Sequence, residues 1–312
     1  MGIKEASSVI LDSIGSVIVG KQDVVELALV AILCEGHLLI EDVPGTGKTT
    51  LAKAIARSLG CTFSRIQFTP DLLPSDVTGI SYFNQKTQEF EFRPGPVMAQ
   101  VLLADEINRA TPRTQSALLE TMQERQVTVD GVAHPLPRPF LVLATQNPIE
   151  LEGTFPLPEA QIDRFLMQIR LGYPSEQEEN TILLRFERSD PLEGLQAVVT
   201  SSDLQEMQEE TATVRVEDSV RQYLVRVVRA TREHPAVDLG VRQRGTLALY
   251  KACQAIAALR GREYVLPDDV KYMAPWVLTH RIHINPQTLL RGRTAEEVVS
   301  EIVSEVPVPV VH

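Results

Sequence analysis

"LIEDVPGTGKTTLAKAIA", residues 39–56, decides how the rest of the chain is read. It holds Gly47-Lys48-Thr49, the close of a phosphate-binding loop, yet the pattern G-x-x-x-x-G-K-[ST] calls for glycine at position 42 and the chain has Asp42. The tripeptide alone carries little weight, since average usage yields it on the order of 0.1 to 0.2 times in a chain of this length. Context decides. Upstream, His37-Leu38-Leu39-Ile40 is a short apolar run of the kind buried on both faces of a sheet. Downstream, Leu51, Ala52, Ile55 and Leu59 recur at helical spacing before Gly60, a plausible stop. In a strand, loop and helix so arranged, backbone N–H groups converge on phosphate oxygens at the positive end of the helix. Pro44, Gly45, Thr46 and Gly47 form the loop, the glycines supplying permissive backbone. Lys48 would reach the β/γ-phosphates, the Thr49 hydroxyl would complete a Mg²⁺ shell, and Thr50 follows at the helix start. Asp42 stands where the strand enters the loop and is read as doing no more than starting the turn. The plainer alternative is an ordinary strand, turn and helix with a surface lysine.

Composition sets loose bounds. A length of 312 residues suggests two domains, and 44% apolar content can bury a sizeable core. No apolar run approaches a membrane span, and Glu5 and Asp12 break up the N-terminus, so neither a transmembrane helix nor a secretory leader is expected. Cys34, Cys61 and Cys253 are widely spaced in apolar surroundings, which fits buried reduced thiols in a cytoplasmic protein better than a disulfide framework or a metal site. A net charge of −11 disfavours broad electrostatic binding to nucleic acid or anionic membrane, although a locally basic pore would escape that average.

Candidate strands at 37–42, 62–68, 100–105, 140–145 and 166–171 alternate with a helix from Thr49, one over 112–124 and a short one over 158–164. This is α/β organisation with a mainly parallel sheet. Two stretches interrupt it. Residues 79–95 read as two alternating runs around a polar turn, and 125–137 carry Asp130-Gly131 between β-rich runs, a strong hairpin signal. Beyond "GYPSEQEE" (172–179) everything reads helical, over 176–188, 201–210, 217–233, 242–260, 267–282 and 294–304, with Thr294 and Glu297 as a capping box. The tail VPVPVVH is expected to be extended.

Two further strands carry polar ends. Val101-Leu102-Leu103-Ala104 runs into Asp105-Glu106. A carboxylate at the end of a core strand beside a phosphate loop can hold Mg²⁺, and a second beside it can orient and deprotonate a water. The bland reading is a strand leaving for solvent through two acids. "FLVLATQNP" (140–148) ends in Gln146-Asn147-Pro148, where Asn147 is either a neutral hydrogen-bonder to water or γ-phosphate, or simply turn chemistry.

Together these stretches resemble the AAA+ ATPases, and the wording resembles one branch, the MoxR family. The phrases are "LIEDVPGTGKTTLAKAIA", "DLLPSDVTG", "FRPGPV", "LLADEINRATPRTQSALLETMQERQVTVDG", "ATQNPIELEGTFPLPEAQIDRF" and "GYPS", running from about residue 37 to 175. The resemblance implies a five-stranded αβα core over 1–172, a helical lid over 173–312 and a homo-oligomeric ring, typically a hexamer. It also implies that 79–95 is an insertion in the second core helix, that 125–137 precedes the sensor strand, and that both face a central pore. In that frame Lys48 and Thr49 lie on phosphate and Mg²⁺, Asp105 on Mg²⁺, Glu106 on the nucleophilic water, and Asn147 is the sensor. Arg164 in "EAQIDRF" becomes an arginine finger for the neighbouring subunit, although an arginine at a short helix's end is more often a solvated charge or a partner of the helix dipole. Val19 and Gly20 in "VIVGK" resemble the adenine-side box, with Lys21 where glutamine is common. The lid arginine aligns to Arg244 in "GVRQRGTLAL", with Arg242 as rival, and its action within or between subunits stays open.

Tyr82, Phe83, Phe90 and Phe92 are expected to pack the base of the first hairpin against the core, leaving Asn84–Gln88 as the exposed tip. Two function classes remain. One is a mechanochemical ATPase that remodels or matures partner proteins, often ones bearing a von Willebrand factor A domain, with a chelatase motor subunit as a sub-case. The other is an ATP-driven nucleic-acid machine, which the acidic balance and the absence of a basic, aromatic stripe disfavour.

Overall fold

The computed structural model of the chain describes residues 2–149, 153–187 and 190–309. Two helices come first, α1 (Ile3–Gly15) and α2 (Gln22–Leu33). Strand β1 (Leu38–Glu41) leads through the glycine loop into α3 (Lys48–Ser58), and β2 (Phe63–Gln67) into the short α4 (Pro74–Thr78). The hairpin β3–β4 (Gly79–Asn84 and Glu89–Pro94) precedes β5 (Val101–Asp105). Helix α5 (Pro112–Glu124) opens with proline at its first position, where no N–H is missed, and runs into the hairpin β6–β7 (Gln126–Val129 and Val132–Pro135). Then come β8 (Leu141–Gln146), α6 (Glu159–Ile162) and β9 (Met167–Ile169).

Five of these strands form one sheet in the order β2-β5-β8-β1-β9, and every pairing is parallel. Their side chains sort by the period of two. Leu38, Ile40, Leu103, Leu143 and Ile169 enter the apolar layer on one face, while Leu39, Leu102, Ala104, Val142 and Ala144 enter the layer on the other. Register then matters for function. Ala104 lies opposite Ala144, Ile40 opposite Thr145, and Gln67 opposite Asp105, so the ends of β1, β2, β5 and β8 reach the same edge of the sheet. Crevices at the carboxyl ends of parallel strands are where open α/β sheets bind ligands.

The chain beyond β9 is built from α7 (Glu176–Phe186), α8 (Ser201–Ala212), α9 (Asp218–Glu233), α10 (Gln243–Leu259), α11 (Pro267–Leu278), α12 (Pro286–Leu290) and α13 (Ala295–Glu305). Reciprocal capping boxes start α7 (Ser175, Glu178), α8 (Thr200, Asp203) and α13 (Thr294, Glu297), the last as read from sequence. Helix α10 is rich in alanine and buried along most of its length, which lets neighbouring helices approach closely. The reading of this region as wholly helical needs correction. Val237–Leu239 (β10) pairs antiparallel with His283–Ile284 (β11), a ribbon too short to show any alternation in sequence. The expectation for the tail falls partly on residues 310–312, outside the described residues, as does residue 188 of the first helical segment.

Both hairpins are antiparallel as read. Asp130 and Gly131 have φ of +50° and +79°, the all-positive geometry of a tight two-residue turn. The aromatic residues of the first hairpin do not all pack inward. Phe90 is 74% exposed and meets the half-exposed Phe83 edge-on at 5.3 Å, and Tyr82 is also exposed. Only Phe92 finds a broad partner, stacking on His134 of the second hairpin at 3.9 Å. Side chains alternate across a strand, and a two-stranded ribbon standing off the core has no second layer to bury both sides.

Candidate nucleotide site

The loop after β1 has the conformation its glycines allow. Gly45 and Gly47 both have φ of +89°, a region costly for residues with a Cβ, and Gly47 caps α3. Lys48 begins that helix, and its Nζ donates to the carbonyls of Asp42 (3.0 Å) and Val43 (2.7 Å). Its ammonium is therefore held over the loop, and phosphate oxygens, as charged acceptors, would compete well for it. Thr49 and Thr50 are half-buried in the first turn.

At the end of β5, Asp105 is buried and accepts at both oxygens: Thr145 Oγ1 donates to Oδ1 at 2.7 Å, and Arg65 reaches Oδ2 at 2.6 Å. Glu106 follows in left-handed backbone (φ +56°, ψ +52°), a strain of about 1–3 kcal/mol for a non-glycine residue. Its N–H donates to Thr145 Oγ1 at 2.8 Å, so one hydroxyl holds both acidic residues in place. The Glu106 carboxylate accepts from Gln67 Nε2 at 2.8 Å and pairs with Arg109 Nε at 3.1 Å. To take a proton from water it must share those donors. Thr145, Arg65, Gln67 and Arg109 were not singled out from sequence. Their roles depend on strand order: once β2 and β8 are known to flank β5, residues at the level of Asp105 are the ones to inspect.

A Mg²⁺ ion takes oxygen donors, and the Thr49 hydroxyl and Asp105 carboxylate are of that kind. Arg65, with a side chain 45% exposed, already pairs with Asp105 Oδ2, so a cation there would share that oxygen with the guanidinium or displace it. Among the described residues no cluster of three or more His, Cys, Asp or Glu side chains forms an all-protein metal site. The three cysteines are free, and burial pushes the Cys34 thiol up to about 12 and Cys61 to about 11. They are inert thiols rather than ligands or nucleophiles.

Asn147 follows β8, and its Oδ1 accepts from Ile149 N at 3.1 Å, a local turn; residues 150–152 of the same phrase lie outside the described residues. Beside Val19 and Gly20 a cavity of about 300 Å³ is lined by Ile18, Gln22, Asp23 and Arg185. Gly20 (φ +71°) lies against Glu178 so closely that a Cβ there would fall 1.5 Å from Oε1. Lys21 donates to the Tyr173 carbonyl at 3.2 Å. Arg164 is half-buried, and its Nε has no hydrogen-bond partner among the described residues. The residues on either side of it are held by Arg281, in the short 3-10 turn after α11: Nε meets Asp163 Oδ1 at 2.7 Å, and Nη2 reaches the carbonyls of Asp163 (3.2 Å) and Phe165 (2.5 Å). Arg244 is exposed in the first turn of α10, whereas its rival Arg242 pairs with Glu159 at 3.7 Å.

A glycine loop feeding a helix N-terminus, beside a strand ending in two acids and capped by a helical region, defines a P-loop ATPase of the AAA+ class. The pattern of the ATPase family associated with various cellular activities (AAA) matches residues 37–167, and that of the AAA lid domain matches residues 229–302. The chain is 55% identical to the uncharacterized protein YeaC of Bacillus subtilis, over 96% of this chain and 94% of that one. It is 44% identical to the chaperone MoxR1 of Mycobacterium tuberculosis, over 95% and 80% respectively. Protein MoxR of Paracoccus denitrificans is 33% identical, over 88% and 87%. A crystal structure from Cytophaga hutchinsonii, of a protein assigned as an ATPase, superposes with a TM-score of 0.92 at 38% identity, covering 98% of this chain and 96% of that one. The chain belongs to the MoxR family of AAA+ ATPases.

Proposed function

We propose that this chain hydrolyses Mg²⁺-ATP within a homo-oligomeric ring, a hexamer, and uses the cycle to remodel or mature partner proteins in the cytoplasm. Partners bearing a von Willebrand factor A domain fit this reading. The observation that carries it is that the glycine loop leading to Lys48 leaves β1, and Asp105-Glu106 ends β5, at the same edge of the parallel sheet. In this reading residues 1–172 are the nucleotide-binding core and 173–312 the lid. Val19 and Gly20 flank the adenine. The amides of Gly45 to Thr50 and the Lys48 ammonium bind the β/γ-phosphates, orienting the terminal phosphoryl group. Thr49 and Asp105 hold the magnesium ion, which when bound neutralises charge on the phosphates. Glu106 takes a proton from the attacking water, released from Gln67 and Arg109 as it does so. Asn147 orients that water, while Arg164 from the neighbouring subunit and the lid arginine, Arg244, meet charge developing on the transferred group.

No helix among the described residues is long and apolar enough to cross a membrane. The net charge of −11 supports protein rather than nucleic-acid clients. Steady-state hydrolysis and nucleotide binding test the reading. Lys48→Ala should lose nucleotide binding, while Glu106→Gln should bind ATP normally and turn over about 10²–10⁴-fold more slowly. Undiminished turnover in Glu106→Gln sinks the assignment, and stimulation by oligonucleotides instead of candidate partner proteins redirects it to the nucleic-acid class.

A further inference from the structure

Asp42, at the position where the loop pattern has glycine, is only 8% exposed and fully engaged. Its Oδ1 accepts from Val43 N at 2.9 Å, across the first peptide of the phosphate loop. Its Oδ2 accepts from Leu171 N at 2.9 Å and Gly172 N at 2.7 Å. Its main-chain carbonyl accepts from Lys48 Nζ. Leu171 and Gly172 lie one residue beyond β9, Gly172 has φ of +65°, and α7 starts four residues later at Glu176. The turn-starting role expected of Asp42 therefore covers only part of what this residue does. A carboxylate out of water needs its charge met, and three backbone N–H groups from two distant stretches meet it here. A glycine at 42 would make none of these side-chain contacts.

We propose that Asp42 is a positioning residue that couples the phosphate loop to the peptide units on which the helical region hangs. The proposal rests on the reading of Lys48 as the phosphate ligand. When phosphate draws the Lys48 ammonium from the Asp42 carbonyl, residue 42 is relieved of one restraint while its carboxylate still grips residues 171 and 172. A shift of the loop is thereby handed to the junction. The carboxylate acts through the backbone it holds.

Hydrogen–deuterium exchange of residues 171–186 in the full chain, with ADP and with a non-hydrolysable ATP analogue plus Mg²⁺, reads the coupling. Fluorescent-nucleotide titration and kcat and KM run alongside. In the unaltered chain the two nucleotides should give exchange at 171–186 differing by at least about fivefold. Asp42→Gly should still bind nucleotide, lose that difference, and lower kcat about tenfold with KM little changed. Asp42→Asn keeps the shape but can serve only one of its two sets of amides with its single oxygen, so it should fall between; it also carries the test if the glycine variant does not fold. A nucleotide-dependent difference that survives in folded Asp42→Gly, or that stays full-sized in Asp42→Asn, overturns the coupling, as does its absence from an unaltered chain that binds nucleotide. Failure of the unaltered chain to bind nucleotide refutes the ATPase reading instead.

Discussion

His37 sits at the foot of β1, fully within the core, and is held there as a neutral ring. Its Nδ1 accepts from Val142 N at 3.1 Å, which leaves the proton on Nε2, facing the Met122 carbonyl at 3.3 Å. Burial, and then the nearby Arg125 guanidinium, lower its pKa to about 3 from an ordinary 6.5. The unfolded chain therefore binds a proton below pH 6.5 that the folded chain refuses. The stability this group contributes is complete above pH 6.5 and falls by about 1.4 kcal/mol per pH unit as pH drops towards 3. Urea unfolding at pH 7 and pH 5 should show His37→Gln losing about 2 kcal/mol less than the unaltered chain over that interval. Equal losses would mean the ring is not held neutral. Histidine beside an apolar run is legible as a core residue, because the run sets its burial. Lys48, Asp105 and Glu106 are legible for a similar reason, each being tied to a short local geometry. Asp42 and Thr145 are not, since their partners lie more than a hundred residues away or on a neighbouring strand.

The elements that stand off the core are the two hairpins. Glu91 organises the first. It accepts from Tyr82 Oη (2.9 Å), Asn84 Nδ2 (2.6 Å) and Thr87 Oγ1 (3.0 Å), and these donors hold its carboxyl below the usual range. Its neck is narrow: a Cβ on Gly79 would fall 2.4 Å from the Arg93 carbonyl, and one on Gly95 2.4 Å from the Val77 carbonyl. The tip is thus a set structure presenting Phe90, and residues 84–88 are not a slack loop. Replacing Asn84–Gln88 with a short Gly-Ser link should leave basal hydrolysis intact and abolish stimulation by a client protein. A collapse of basal turnover would assign the segment to a subunit interface or to the core. Hairpins and the five core strands were readable from alternation and Asp130-Gly131, whereas β10 and β11, three and two residues long, are defined only by finding each other.

At the scale of the whole molecule the question is what one chain can do alone. Arg164 carries a buried nitrogen with no partner among the described residues, and Arg281 fixes the backbone on both sides of it through a guanidinium that is itself almost wholly buried. A finger presented to a neighbour needs such fixing, because a misplaced cation stabilises nothing. Arg164→Ala should keep ATP binding and lose turnover at least about a hundredfold. Mixed with Lys48→Ala chains, inactive alone, it should recover some hydrolysis, as intact loops meet intact arginines across subunits. A flat response from rings shown to exchange subunits rules out catalysis in trans.

One apolar layer runs without interruption from Ile10 and Ile14 of α1, through Leu27 and Leu29 of α2 and one face of the sheet, to Tyr223, Ile256 and Val277 of the helical region. The helical region therefore has no private interior. It is not a cassette that a recombination event could exchange between relatives at residue 173, or at the start of the matched lid pattern at 229, because the incoming piece would have to complement α1 and α2 as well as the sheet. Inheritance of this chain as a unit follows from its packing: the first thirty residues and the last hundred share one surface that neither can cover alone.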